Sequence, residues 1–109
     1  MPTQEKFASI RKGLLEFLVL RLVASDKMYV ADMLQRLSTT EFATQEGTLY
    51  PLLRRLETQG LLASEWREED KRNKRFYHLS KEGKSVLKQL TSEWNAISQS
   101  LDKLLNGVA

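Results

Sequence analysis

The sequence predicts a mainly α (α+β) fold: four helices and one β-hairpin, in the order helix, helix, helix, strand, strand, helix. Three observations carry that reading. Leu49, Leu52, Leu53 and Leu56 recur at i, i+3, i+4, i+7, the buried stripe of an amphipathic helix. Behind it, the short runs Leu61–Arg67 and Arg75–Leu79 flank a charged segment, as two strands flank a turn. Finally, Leu87, Leu90, Trp94, Ile97, Leu101 and Leu104 keep alternating three- and four-residue spacings, the a/d seam of a long helix.

A chain of 109 residues makes one domain with a modest core. It has no cysteine, which excludes a disulfide framework and thiolate chemistry and fits a reducing cytoplasm. The N-terminus lacks the basic, apolar, small-residue order of a signal peptide. The longest apolar run, Leu14 to Ala24, is broken by Glu16 and Arg21 and is too short and charged to span a bilayer. A cytoplasmic protein without a membrane partner is therefore expected. The net charge of +3 and pI near 9.3 are a mild basic bias. Where the charges sit says more than their sum.

The first helix is expected from a cap at Ser9 to about Ala24, after a frayed polar stretch from Met1 to Phe7. Its apolar residues, among them Leu14, Phe17 and Leu18, run nearly all round the cylinder, so it must be covered on more than one side. A second copy of the chain would do this; so would a central position in a monomer core. A second helix over Tyr29–Leu37 follows from Val30, Met33, Leu34 and Leu37. The third is placed with Thr44 as N-cap. Its outer face carries Gly47, Tyr50, Pro51 and Arg54, with Thr48 and Arg55 on one flank and Glu46 and Glu57 on the other. Pro51 either bends this helix or marks a regular part starting nearer Thr48.

In the hairpin, Leu62, Ser64 and Trp66 share one strand face. Glu68 to Lys74 reads as a charged tip, acidic then basic, with Lys71, Arg72, Lys74 and Arg75 as its basic cluster. Ser80 is placed to cap the last helix, and Gly107 to stop it. Such a helix, about 40 Å long at 1.5 Å per residue, cannot pack wholly on so small a domain. Residues 1–79 and 80–109 thus read as a binding part and a dimerisation helix within one compact unit.

A helix pair followed by a basic hairpin is the winged helix-turn-helix order, whose third helix enters the DNA major groove. The segment Gly47-Thr48-Leu49-Tyr50-Pro51-Leu52-Leu53-Arg54-Arg55-Leu56-Glu57, then Gly60-Leu61-Leu62, resembles the recognition-helix signature of the PadR family of bacterial transcriptional regulators. The similarity continues through Arg75 to Gly83. It is looser at Tyr29 to Leu34, where the family often has glycine near this tyrosine. The resemblance implies homodimers that repress transcription, with the last helix crossing to the partner's first. A single C-terminal helix is similar to that of the short-tailed subgroup, some of whose members stack planar aromatic compounds on a tryptophan. Trp94 occupies the similar place, as ligand platform or as interface core.

Side-chain chemistry then suggests roles. Arg54 can donate bidentately to guanine or phosphate, and Gln45, Thr48 and Tyr50 can donate to phosphate. Gly47 lets a backbone come close. Lys71, Arg72, Lys74 and Arg75 would add phosphate contacts from the hairpin. The expected dimer contacts are Leu14, Phe17 and Leu18 with the seam Leu87, Leu90, Trp94, Ile97, Leu101 and Leu104. No cofactor, metal site or enzymatic constellation is expected; His78 has no evident catalytic partner. The alternative is a winged helix that binds protein as an adaptor.

Overall fold

The computed structural model describes residues 2–107, with side chains from Lys6 onward. The elements are α1 (Pro2–Ser25), α2 (Val30–Ser38), α3 (Glu46–Thr58), β1 (Leu62–Glu69), β2 (Arg72–Leu79) and α4 (Lys81–Leu105). The expected order is therefore the observed one, but three boundaries move. Helix α1 begins at Pro2, not after Ser9. Proline suits a first helical turn, because its missing N–H would have no intrahelical partner there. Helix α3 takes Gln45 as N-cap in place of Thr44, with no side-chain cap bond. The strands run into the charged segment, so the tip shrinks to Asp70 and Lys71.

The winged core is built from the apolar stripes. Leu15, Val19, Leu20 and Val23 of α1, Val30, Met33 and Leu37 of α2, and Leu49, Leu52, Leu53 and Leu56 of α3 are buried together. Leu62, Tyr77 and Leu79 close the core from the hairpin, and Leu87 from α4. β1 and β2 pair antiparallel, with Leu62 opposite Leu79 and Glu69 opposite Arg72. Met28, just before α2, adds a minimal third strand: it exchanges hydrogen bonds of 3.1 and 2.9 Å with Tyr77. This bridge fixes α2 relative to the hairpin.

The junction of α3, β1 and α4 is tied by few atoms. Gly60 has a φ of +78°, which glycine adopts without strain, and it turns the chain out of α3. The Ser80 hydroxyl donates to the Gly60 carbonyl (2.6 Å) and accepts from the Gly83 amide (2.9 Å), capping α4 as expected. The Ser80 amide donates to the Leu61 carbonyl at 3.1 Å. Gly83 itself packs so closely that an added Cβ would lie 2.0 Å from the Leu61 oxygen.

Beyond this junction α4 runs away from the core. The Cα radius of gyration is 16.1 Å, against about 13 Å for a compact chain of this length. The longest extent is 59 Å. Among the described residues, no helix is long and apolar enough to cross a membrane.

Candidate nucleic-acid interface

Helix α3 divides its faces as its spacing predicts. Leu49, Leu52, Leu53 and Leu56 are buried, while Gly47, Thr48, Tyr50, Pro51 and Arg54 are exposed. The helix is regular from its first turn: the amides of Thr48 and Leu49 both donate to the Gln45 carbonyl at 3.0 Å. Pro51 therefore lies inside α3, and a start nearer Thr48 is excluded. Lacking an N–H, Pro51 leaves the Gly47 carbonyl without its bond from four residues on. A Cβ on Gly47 would meet nothing within 4 Å. Internal packing thus has no need of glycine there, although glycine costs a helix roughly 1 kcal/mol relative to alanine.

The two flanks of α3 are anchored by ion pairs. On one, Arg55 reaches Glu16 of α1 through its Nε (3.0 Å) and a terminal nitrogen. On the other, Glu57 accepts from Arg75 of β2 at 3.0 and 3.3 Å, and from the Ser64 hydroxyl at 3.0 Å. The Arg75 Nε also donates to the Ser64 hydroxyl at 2.8 Å. Its guanidinium lies over the rings of Trp66 and Tyr77. Arg75 was expected to project from the tip towards a phosphate. It instead commits its donors to Glu57 of α3 and Ser64 of β1, while still lining the groove beside α3. Arg54, between these two anchored arginines, forms no salt bridge among the described residues.

The hairpin presents fewer free cations than its sequence suggests. Asp70 and Lys71 take φ values of 52° and 64°, the pair of left-handed residues of a two-residue type I′ turn. That turn lets the ladder continue to its end, which is why the charged run is mostly strand. Lys71 and Arg72 stay exposed at the tip. Lys74 is half-buried, its amine 4.8 Å from the centre of the Tyr29 ring. Tyr29 leans on Phe76, with ring centres 3.7 Å apart, and its hydroxyl donates to Glu69. Desolvation and this bond to a carboxylate push the Tyr29 hydroxyl up to about 12. Lys27 and Arg67 both pair with Glu65, at 2.9 and 3.2 Å, and Lys27 holds that carboxyl below its ordinary range.

Between α3 and the hairpin lies an open groove of about 470 Å³, lined by Glu46, Tyr50, Trp66, Arg72, Asn73 and Lys74 among others. Gln45 and Gly47 adjoin its upper end in sequence, and Arg54 follows Tyr50 by one turn. The structure thus brings Tyr50, Arg72, Lys74 and Arg75 to one groove, and leaves Thr48 on the opposite flank, against α1. Trp66, 66% exposed, joins the groove without having been singled out as a site residue. Strand alternation alone puts it on the face of Ser64. Its position past the end of the core, which frees it, is visible only in three dimensions. His78 is half-buried, and its Nδ1 is buried without a partner.

The seam divides in two. Leu87 is buried in the chain's own core, which corrects its placement among the dimer contacts. Phe17, Leu18 and Leu90 are partly buried against that core, and Leu14 is half-buried. Trp94, Ile97, Leu101 and Leu104 remain 43%, 49%, 51% and 80% exposed. Phe7 and Ile10 of α1, which fell outside the expected contacts, are also exposed, as is Leu105.

Comparison with known proteins gives one consistent picture. The description "Transcriptional regulator PadR-like family" matches residues 19–89. A transcriptional regulator of Mycobacterium tuberculosis is 35% identical over 89 residues, covering 82% of this chain and 80% of that protein. A PadR family regulator from Eggerthella lenta superposes with a TM-score of 0.81 at 33% identity, over 94% of this chain and 91% of its own. A PadR-like transcription factor from Bacteroides fragilis gives 0.80 at 32%, over 92% and 98%.

Proposed function

Because the chain belongs to the PadR-like family of transcriptional regulators, we propose that it binds a palindromic operator as a homodimer and represses transcription. It is a regulator and not an enzyme. The observation that carries DNA binding is the outer face of α3. There Tyr50 and Arg54 are exposed and Gly47 has no internal steric duty, while exposed Arg72 lines the groove beside the helix and exposed Lys71 precedes it at the hairpin tip. A bare helix face beside basic side chains suits entry into the major groove, with the hairpin against the backbone. The carboxylate nearest Arg54 in sequence on that side, Glu57, is neutralised by Arg75, so it opposes a phosphate less than its charge implies.

Two copies would also bury the apolar lower half of α4. A row of Trp94, Ile97, Leu101 and Leu104 on one helix is larger than the isolated exposed residues normal on a monomer. Heptad spacing suits a partner helix, and Phe7 and Ile10 of α1 offer a second apolar surface. Light scattering at micromolar concentration should give twice the 12.6 kDa chain mass. A monomer would sink the homodimer.

Gel shifts with selected operator DNA across a salt series test the DNA reading. Affinity should fall with salt by about 0.9 log units per phosphate contact for each log unit of salt. Salt-insensitive or sequence-blind behaviour would count against it and return the protein-binding adaptor. Release by a planar aromatic effector belongs to the same reading. Such compounds should quench tryptophan fluorescence, and the Trp94-dependent part should vanish in Trp94→Phe. Trp66→Phe is the necessary control, since Trp66 is exposed and emits too. Quenching that survives in Trp94→Phe would leave Trp94 as interface core.

A further inference from the structure

We propose that Arg75 is a positioning residue for recognition: it holds the Glu57 carboxylate on the hairpin and so keeps the Arg54 guanidinium free for DNA. This rests on the DNA-binding reading above and deepens it, because it gives Arg75 a task other than a phosphate contact.

Two arginines compete for one carboxylate. On α3 the acid within one turn of Arg54 is Glu57, three residues on, and side chains three apart meet on a helix surface. Arg54, Glu57 and Arg75 line one open pocket of about 370 Å³, together with Tyr50, Thr58 and Tyr77. The hairpin settles the competition in favour of Arg75. One terminal nitrogen of Arg75 donates to both Glu57 oxygens, at 3.0 and 3.3 Å. The Ser64 hydroxyl donates to Glu57 at 3.0 Å and accepts from the Arg75 Nε at 2.8 Å, which closes a ring of three side chains. The Glu57 side chain is only 24% exposed, so water screens this ring less than an open surface pair. The Trp66 and Tyr77 rings, 5.7 and 5.5 Å from the guanidinium carbon, add a cation–π hold. Arg54 offers Glu57 only a helix-surface pair, a preference of about twofold.

Removing the Arg75 donors reverses the outcome. Glu57 is then a partly buried charge without its partner, one turn from a free guanidinium, and it turns to Arg54. A carboxylate on Arg54 takes an edge of the fork that a bidentate contact to guanine or phosphate needs. It also sets a negative charge against the phosphates. Arg75 thus serves recognition through Arg54. The ladder of the hairpin places it: Trp66 pairs with Arg75 and Ser64 with Tyr77, so the ring forms only in this register.

The test is a set of mutant cycles on the full chain, with operator DNA selected by the wild type. Arg75→Gln should weaken operator binding by about fivefold. Adding Glu57→Gln to Arg75→Gln should return most of that loss, and should gain more there than in the wild-type background. In an Arg54→Ala background, Arg75→Gln should change affinity by less than about twofold, because the group it protects is gone. A direct phosphate contact by Arg75 gives instead the same loss in every background, and that result overturns the proposal. A second arm needs no DNA. In the 15N-labelled free protein, the Arg54 Nε–H resonance should move in Arg75→Gln and return in Arg75→Gln/Glu57→Gln; a resonance that stays in place overturns the capture of Arg54. Circular dichroism checks that each variant folds. Ser64→Ala removes only the bridging hydroxyl, should show the same pattern at smaller amplitude, and decides if Arg75→Gln does not fold. Failure of the wild type to bind any selected DNA overturns the proposed function, while the resonance arm still decides which arginine holds Glu57.

Discussion

Gly83→Ala is expected to destabilise the fold by about 2–3 kcal/mol, although alanine is the better helix former. The added methyl would lie 2.0 Å from the Leu61 carbonyl oxygen, 3.0 Å from its carbon and 3.1 Å from the Leu79 side chain. The nearest obstacle is backbone, and it is pinned: the same carbonyl accepts from the Ser80 amide at 3.1 Å. Moving it would disturb the α4 cap, in which Ser80 binds both Gly60 and Gly83. The helix-propensity gain of roughly 1 kcal/mol cannot offset that displacement. At fixed protein concentration, thermal unfolding should fall by several degrees per kcal/mol, and Gly83→Val should fall further. Gly13→Ala is the contrast, since a Cβ there meets nothing within 4 Å. An unchanged midpoint in Gly83→Ala would show that the junction yields.

Gly83 also marks where the sequence stops speaking. Element order and the buried face of α3 were legible because side-chain periodicity reports directly on one face of one element. Leu49, Leu52, Leu53 and Leu56 are all buried as their spacing requires. Nothing local to the first turn of α4 calls for a glycine at Gly83, because the reason for it is the Leu61 carbonyl, 22 positions earlier in the chain. The wing shows the same limit. Lys74 and Arg75 read as free cations because charge is visible in sequence. Their engagement by Tyr29 and Glu57 depends on a strand register that the Asp70–Lys71 turn sets. The seam is intermediate: heptad spacing identified one continuous face, but only the fold shows that Leu87 is spent in the core and that the unmet face begins at Trp94. Periodicity tells which residues share a face and is silent on what covers it.

That distinction shapes the second large effect, at Arg54. Of the three arginines Arg54, Arg55 and Arg75, carried by α3 and β2, Arg55 is tied to Glu16 and Arg75 to Glu57. Of these three, only Arg54 forms no salt bridge among the described residues. Arg54→Ala should therefore weaken operator binding by about 1–3 kcal/mol if it reads a base. It should move stability by no more than about 0.5 kcal/mol, as a surface change remote from any anchor. The paired readout separates a DNA contact from a folding defect. Arg54→Lys separates base from phosphate: a lysine keeps the charge but loses the bidentate fork. Equal loss in Arg54→Lys and Arg54→Ala, with relaxed sequence preference, identifies base reading. Recovery in the lysine variant, with an unchanged salt slope, identifies a phosphate contact. Gly47→Ala supplies the matching steric experiment. With open space at its Cβ, it should stabilise the free protein by about 0.5–1 kcal/mol. If DNA approaches the start of α3 closely, the same methyl should lower operator affinity, so that stability and binding move in opposite directions. A variant that gains stability and keeps full affinity would place the DNA further from Gly47 than the bare helix face implies.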